Sequence, residues 1–138
     1  MDQASLASLA TELLAAIHLM SGYPAPADSP QIHVVPQAQI AEKFCGKPCR
    51  VRAIYLRDEG VYLDDTLDLA GSSLDRSILL HELVHHVQAV SGGYGGNPPD
   101  CERWNRAEIE AYSLQNRYLT EINSGTRVSM MGAIGRCF

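Results

Sequence analysis

Apolar side chains recur at three- and four-residue spacing through Leu6, Leu9, Leu13, Ile17 and Met20, which predicts a packing helix over about 5–20 that stops at Gly22. Proline then breaks the pattern in the connector 23–30, "YPAPADSP". The β-branched run "QIHVVP" predicts one short strand, and "PQAQIAEKFC" a short helix with Pro36 at its start and Gly46 near its end. Alternation from Val51 to Leu56, turn chemistry in "RDEG" and a resumed strand from Val61 to Leu63 predict an antiparallel hairpin. A longer helix follows in "AGSSLDRSILLHELVHHVQAVSGG", with Ser72 as cap, Asp75 as the capping-box acid and "SGG" as its end. After the loop "YGGNPPD", a further helix is expected from Glu102 to about Asn123; the tail from Ser124 has no decided form.

Together these elements predict an α+β fold in one domain, 1–138. A small mixed or antiparallel sheet would pack on the N-terminal helix, and the chemistry would lie in about 51–123. A chain of 138 residues can bury one core and is short for two. Its 46% hydrophobic and 20% charged residues exclude long disorder. The net charge is −5 and the eleven Lys and Arg are scattered, so no nucleic-acid partner is expected. Unbroken apolar runs are short, so no membrane span is expected, and the first twenty residues lack the basic start of a signal peptide. Cys45, Cys49, Cys101 and Cys137 sit at loop-like positions, several beside Gly or Pro. Two disulfides are favoured over reduced thiols or a scattered ligand set, and they would favour an extracytoplasmic location, periplasmic or secreted. A zinc ion on all four is the weakest option, because Cys101 and Cys137 are far apart.

One segment changes the picture. Within the long helix stands "HELVH", with His81, Glu82 and His85 in the pattern His-Glu-x-x-His. Residues four apart lie one above the other on a helix, so both imidazoles point to one side and can hold one zinc ion. Glu82 lies about 100° around from His81, where its carboxylate can take a proton from a metal-bound water. With five His and eight Glu in the chain, chance produces this pattern roughly once in a hundred shuffled sequences, so placement has to decide. Leu80, Leu83, Val84, Val87 and Val90 gather on one arc, and Ser77, His81, His85 and Gln88 on the opposite one. A merely solvated face would more naturally carry Lys and Glu. His86 flanks the apolar arc and reads as a packing or hydrogen-bonded residue.

Catalytic zinc usually takes three protein ligands. The following helix offers Glu102, Glu108 and Glu110, with an expected core face of Trp104, Ala107, Ala111, Leu114, Tyr118 and Ile122. Glu108 lies about 60° from Ala111, at the border of that face and beside Tyr112, Gln115 and Leu119. Glu110 lies about 100° away on the other side, in a sector shared with Arg103, Arg106, Arg117 and Glu121. Glu102 falls opposite the core at the helix start, where it suits the helix dipole. A carboxylate at a buried border with no nearby cation needs a partner, so Glu108 is preferred as third ligand and Glu110 is second.

These residues resemble the gluzincins, zinc metallopeptidases in which His-Glu-x-x-His on one helix is completed by a glutamate on a following helix. The small single-domain minigluzincins are most similar in size and order of elements. The resemblance spans roughly Val51 to Leu119 and implies a zincin-like fold with a mixed sheet before the motif helix. It also implies an edge strand that aligns a peptide antiparallel, His81 and His85 as zinc ligands, Glu82 as general base, and Glu108 in "EIEAY" as third ligand. Family members often follow Glu-x-x-Ala with Asp or Asn; Tyr112 stands there in this chain, so a motif histidine must find its supporting hydrogen bond elsewhere.

The expectation is a zinc-dependent peptidase or amidase acting on a peptide or protein, with Glu82 moving a proton from the attacking water to the leaving amine. Tyr94 and Tyr112 are candidate oxyanion stabilisers, and "GVYLD" is a candidate substrate-aligning edge. A second class is a metal-binding or partner-binding module without turnover, for which His33 could supply the fourth ligand of a closed site. A third is a helical domain whose histidines face solvent. Substrate specificity and oligomeric state have no signature in the chain.

Overall fold

Asp2 starts the first helix by accepting the Ser5 N–H on Oδ1 at 2.7 Å, and Gly22, at φ 78°, ends it by donating to the His18 carbonyl. The computed structural model describes residues 1–92 and 101–130. It contains α1 (Gln3–Ser21), β1 (Ile32–Val35), α2 (Gln37–Cys45), β2 (Ala53–Leu56), β3 (Gly60–Asp64), α3 (Ser73–Val90) and α4 (Cys101–Glu121). The architecture is the expected α+β domain with a mixed sheet.

The sheet order is β1-β3-β2. β2 and β3 form the expected antiparallel hairpin, with Ile54 opposite Tyr62, while β1 runs parallel to β3, with Val34 opposite Leu63. "GVYLD" is therefore the middle strand and has no free edge; the edges belong to β1 and β2. Gly60, where β3 begins, is required by two constraints. Its φ is 99°, and a Cβ there would stand 2.2 Å from the Gln31 carbonyl oxygen that accepts the Val61 N–H.

Alternation along the strands sorts the layers. Val61 and Leu63 face the main core with Leu13 and Ile17 of α1 and Leu80, Leu83 and Val84 of α3. Each such burial contributes roughly 1.5–3 kcal/mol. Ile54 points to the other face, which α2 covers with Ile40 and Ala41. By length and composition α1 is apolar enough to cross a bilayer, which a search for unbroken apolar runs passes over. Here Leu6, Ala10, Leu13, Leu14 and Ile17 of α1 are packed into the core.

Ser72 caps α3 as expected, its Oγ accepting the Asp75 N–H at 3.1 Å. The reciprocal half of the capping box is not made. Asp75 instead accepts the Asp68 N–H at 2.8 Å, because Ser72 N–H donates to the Asp68 carbonyl. α3 lies between the sheet, α1 and α4, and so is buried on more than one side. Cys45 and Cys49 form a disulfide just after α2, and Cys101 is also disulfide-bonded. Cys137 lies outside the described residues.

Candidate metal centre

The packing of α4 on α3 brings together three donors that are distant in sequence. His85 Nε2 lies 2.5 Å from Glu108 Oε1, His81 Nε2 lies 3.2 Å from the same oxygen, and the two Nε2 atoms are 3.3 Å apart. Two imidazole nitrogens and a carboxylate oxygen, all within 4.8 Å of one another, match the donor set that borderline divalent cations take. The four-residue spacing on α3 supplies the first two, and Glu108 supplies the third from about two turns inside α4. The fit to a zinc ion is good in donor type and number.

The far side of each imidazole is also engaged. His81 Nδ1 lies 3.0 Å from Gln115 Oε1, and His85 Nδ1 lies 2.8 Å from Gln88 Oε1. The support that Tyr112 cannot give thus comes from two glutamines, one on each helix. Tyr112 instead lays its ring against His81, with centroids 4.3 Å apart.

Electrostatics follow from this enclosure. Burial is the largest single influence and works against a charge on His85, but the bond to the Glu108 carboxylate, the charges of Glu82 and Glu108 and the bond to Gln88 together outweigh it and lift the imidazole to about 9. Burial likewise disfavours the Glu108 anion, yet hydrogen bonds from His81 and His85 bring it down to about 2. Glu82 is 7% exposed, and its Oε2 has no hydrogen-bond partner among the described residues. Burial raises its proton affinity, against the opposing pull of His81 and His85.

The profile of one family, described as Domain of unknown function (DUF6647), matches residues 2–134. The chain belongs to the DUF6647 family. No curated protein and no solved structure matches it.

In this DUF6647 chain several sequence expectations are corrected. Glu110 is not on a solvated, salt-bridged face. Its Oε1 accepts from the Tyr23 hydroxyl at 2.7 Å and from Gln88 Nε2 at 3.0 Å, while Arg106 pairs with Glu102 and Arg117 with Glu121. The polar arc of α3, set opposite the apolar one in the sequence, is covered by α4, with Ser77, His81 and Gln88 all buried, whereas Val90, counted on the apolar arc, is exposed. On α4 the buried arc is Ala107, Ala111, Leu114, Gln115 and Leu119, turned toward Glu108; Ile122 is largely exposed. His33 stacks on Tyr62 and contacts the Glu59 carbonyl at 2.9 Å, so it is no fourth ligand. His86 is hydrogen-bonded as expected, accepting from Tyr55 and donating to the Asp28 carbonyl. Tyr94 lies outside the described residues. Sequence reasoning gave Gln88 and Gln115 no role; their signal was position, three residues after His85 and seven after Glu108.

Proposed function

We propose that the chain is a zinc-dependent hydrolase of the zincin-like peptidase type, acting on a peptide or protein, with His81, His85 and Glu108 as metal ligands and Glu82 as general base. One observation carries the reading: three convergent donors stand beside a buried carboxylate whose Oε2 is unengaged among the described residues. Zinc held there would polarise a carbonyl and acidify water. Glu82 is next to His81 in sequence, and its buried Oε2 has hydrogen-bonding capacity that no described residue fills. Burial raises its proton affinity, which suits a base that takes the proton of the attacking water and returns it to the leaving amine. A closed structural site wants a fourth protein ligand, and among the described residues no fourth donor joins the cluster. That favours turnover over a purely bracing metal. The Cys45–Cys49 disulfide is compatible with an extracytoplasmic location.

The test is to measure zinc stoichiometry in the purified chain and hydrolysis of a mixed peptide library, for wild type and Glu82→Gln. Zinc retained with hydrolysis lost by about 10²–10⁴-fold in the variant is the expected result. Absence of zinc in the wild type refutes the site. Unchanged hydrolysis in Glu82→Gln removes Glu82 as base, and bound zinc without any wild-type hydrolysis favours the module without turnover.

A further inference from the structure

We infer that Gln88 and Gln115 are positioning residues that fix which nitrogen of each motif histidine faces the metal position, and that Glu110 belongs to the same device; this rests on the metal reading above. The deduction starts from groups that can only accept. Gln88 Nε2 lies 3.0 Å from the Ala107 carbonyl, so the amide nitrogen is on that side and the amide oxygen faces His85 Nδ1. An amide oxygen cannot donate, so Nδ1 carries the hydrogen. In the metal-free chain a second hydrogen on Nε2 serves the Glu108 carboxylate; the neutral imidazole that a metal takes has one N–H, and with that held at Nδ1 the lone pair is on Nε2, on the side of Glu108 and His81.

The same logic runs through Ser77 to the other histidine. Ser77 Oγ donates its one hydrogen to the Leu74 carbonyl at 2.6 Å, so at Gln115, 3.0 Å away, it can only accept. Gln115 therefore turns its nitrogen to Ser77 and its oxygen to His81 Nδ1, so that His81 in its neutral, metal-binding form also presents a bare Nε2. Glu110 adds a second acceptor for Gln88 Nε2 and is itself held by Tyr23, so the amide cannot turn over without losing both partners. Gln88 and Gln115 are only 3% and 2% exposed, too enclosed for solvent to replace these bonds. The two supports are uncharged, so they orient the histidines without adding to the negative charge of Glu108 and Glu82.

Zinc affinity, measured by competition with a chelating dye, should fall about 10–100-fold in Gln88→Met and Gln115→Met. Gln115→Glu keeps an acceptor toward Nδ1–H and leaves Ser77 able to turn its hydroxyl to it, so zinc should bind as tightly as in wild type or more tightly. A merely structural glutamine would show the reverse order, since a buried carboxylate disturbs packing more than Met does. Independently of any variant that fails to fold, the long-range ¹H–¹⁵N spectrum of the zinc-loaded wild type should show both histidines protonated at Nδ1. Undiminished affinity in the Met variants, loss of zinc in Gln115→Glu, or an Nε2–H on either histidine overturns the inference while leaving the metal site standing. A wild type that binds no zinc overturns both.

Discussion

His85 Nε2 and Glu108 Oε1 stand 2.5 Å apart and join α3 to α4 by an ion pair when no metal is present. The pair makes the stability of the metal-free chain depend on pH in both directions. His85 is raised from 6.5 to about 9, so its contribution is complete below about pH 6.5 and is lost as pH rises through 9. Glu108 is lowered from 4.5 to about 2, so its contribution is present above about pH 4.5 and is lost as pH falls through 2. Glu82, raised by burial, contributes in its neutral form and begins to lose that contribution as pH rises above about 4.5. In EDTA, the unfolding free energy from urea titration should fall between pH 6.5 and 9, by an amount on the order of 2 kcal/mol. A flat profile over that range would show that the pair is not formed in solution.

The two glutamates of α4 should separate cleanly. Glu108→Ala removes a donor and leaves two imidazoles facing each other, so zinc binding should be lost and the metal-free chain destabilised by roughly 1–3 kcal/mol. Glu110→Ala removes the acceptor shared by Tyr23 and Gln88 but leaves Gln88 bonded to the Ala107 carbonyl, so zinc should be retained with affinity reduced several-fold. Zinc titration of the two variants side by side checks this. If Glu110→Ala lost zinc and Glu108→Ala kept it, the ligand assignment would be reversed.

What the sequence disclosed, and what it withheld, follows from the range of each interaction. The His81–His85 spacing and the Ser72 cap are set within one or two turns of helix, so they were legible. Glu108 was legible because helical period places it at the border of a buried face, although the centre of that face lies nearer Gln115 and Leu119 than Trp104 and Ile122. Glu110 was misjudged because its arginine neighbours are close in sequence, while the groups that cover it, Tyr23 and Gln88, come from other elements. The hairpin was visible from its turn. The parallel pairing of β1 with β3, which turns "GVYLD" from an edge into the middle strand, joins residues such as Ile32 and Val61 that no local pattern connects. The same holds for the cover over the polar arc of α3: the helical wheel sets that arc opposite the apolar one but does not show that α4 packs on it.

The sheet makes its own prediction at Gly60. Any side chain there meets the Gln31 carbonyl, and that carbonyl is the first β1–β3 link through Val61 N–H at 2.8 Å. Gly60→Ala should therefore part the two strands at their start and cost on the order of 2–4 kcal/mol, read as a fall in the denaturant midpoint. An unchanged midpoint would mean that the left-handed turn is not held in solution.

Glu82 gives the sharpest contrast between stability and activity. In the metal-free chain its carboxylate is buried, its Oε2 lacks a partner among the described residues, and burial outweighs the favourable pull of the two histidines on its charge. Glu82→Gln removes that charge at nearly constant volume. The metal-free variant should therefore unfold at a higher temperature than wild type, by roughly 3–5 °C for a gain of about 1 kcal/mol in a chain of this size. The gain should grow with pH, because the wild-type carboxylate becomes more fully ionised as pH rises, whereas the amide does not titrate. Thermal melts in EDTA at pH 5 and pH 8 test both statements. A variant less stable than wild type at pH 8 would mean that the carboxylate has a partner that stabilises its charge, and with it the case for an unengaged base beside the metal ligands would fail.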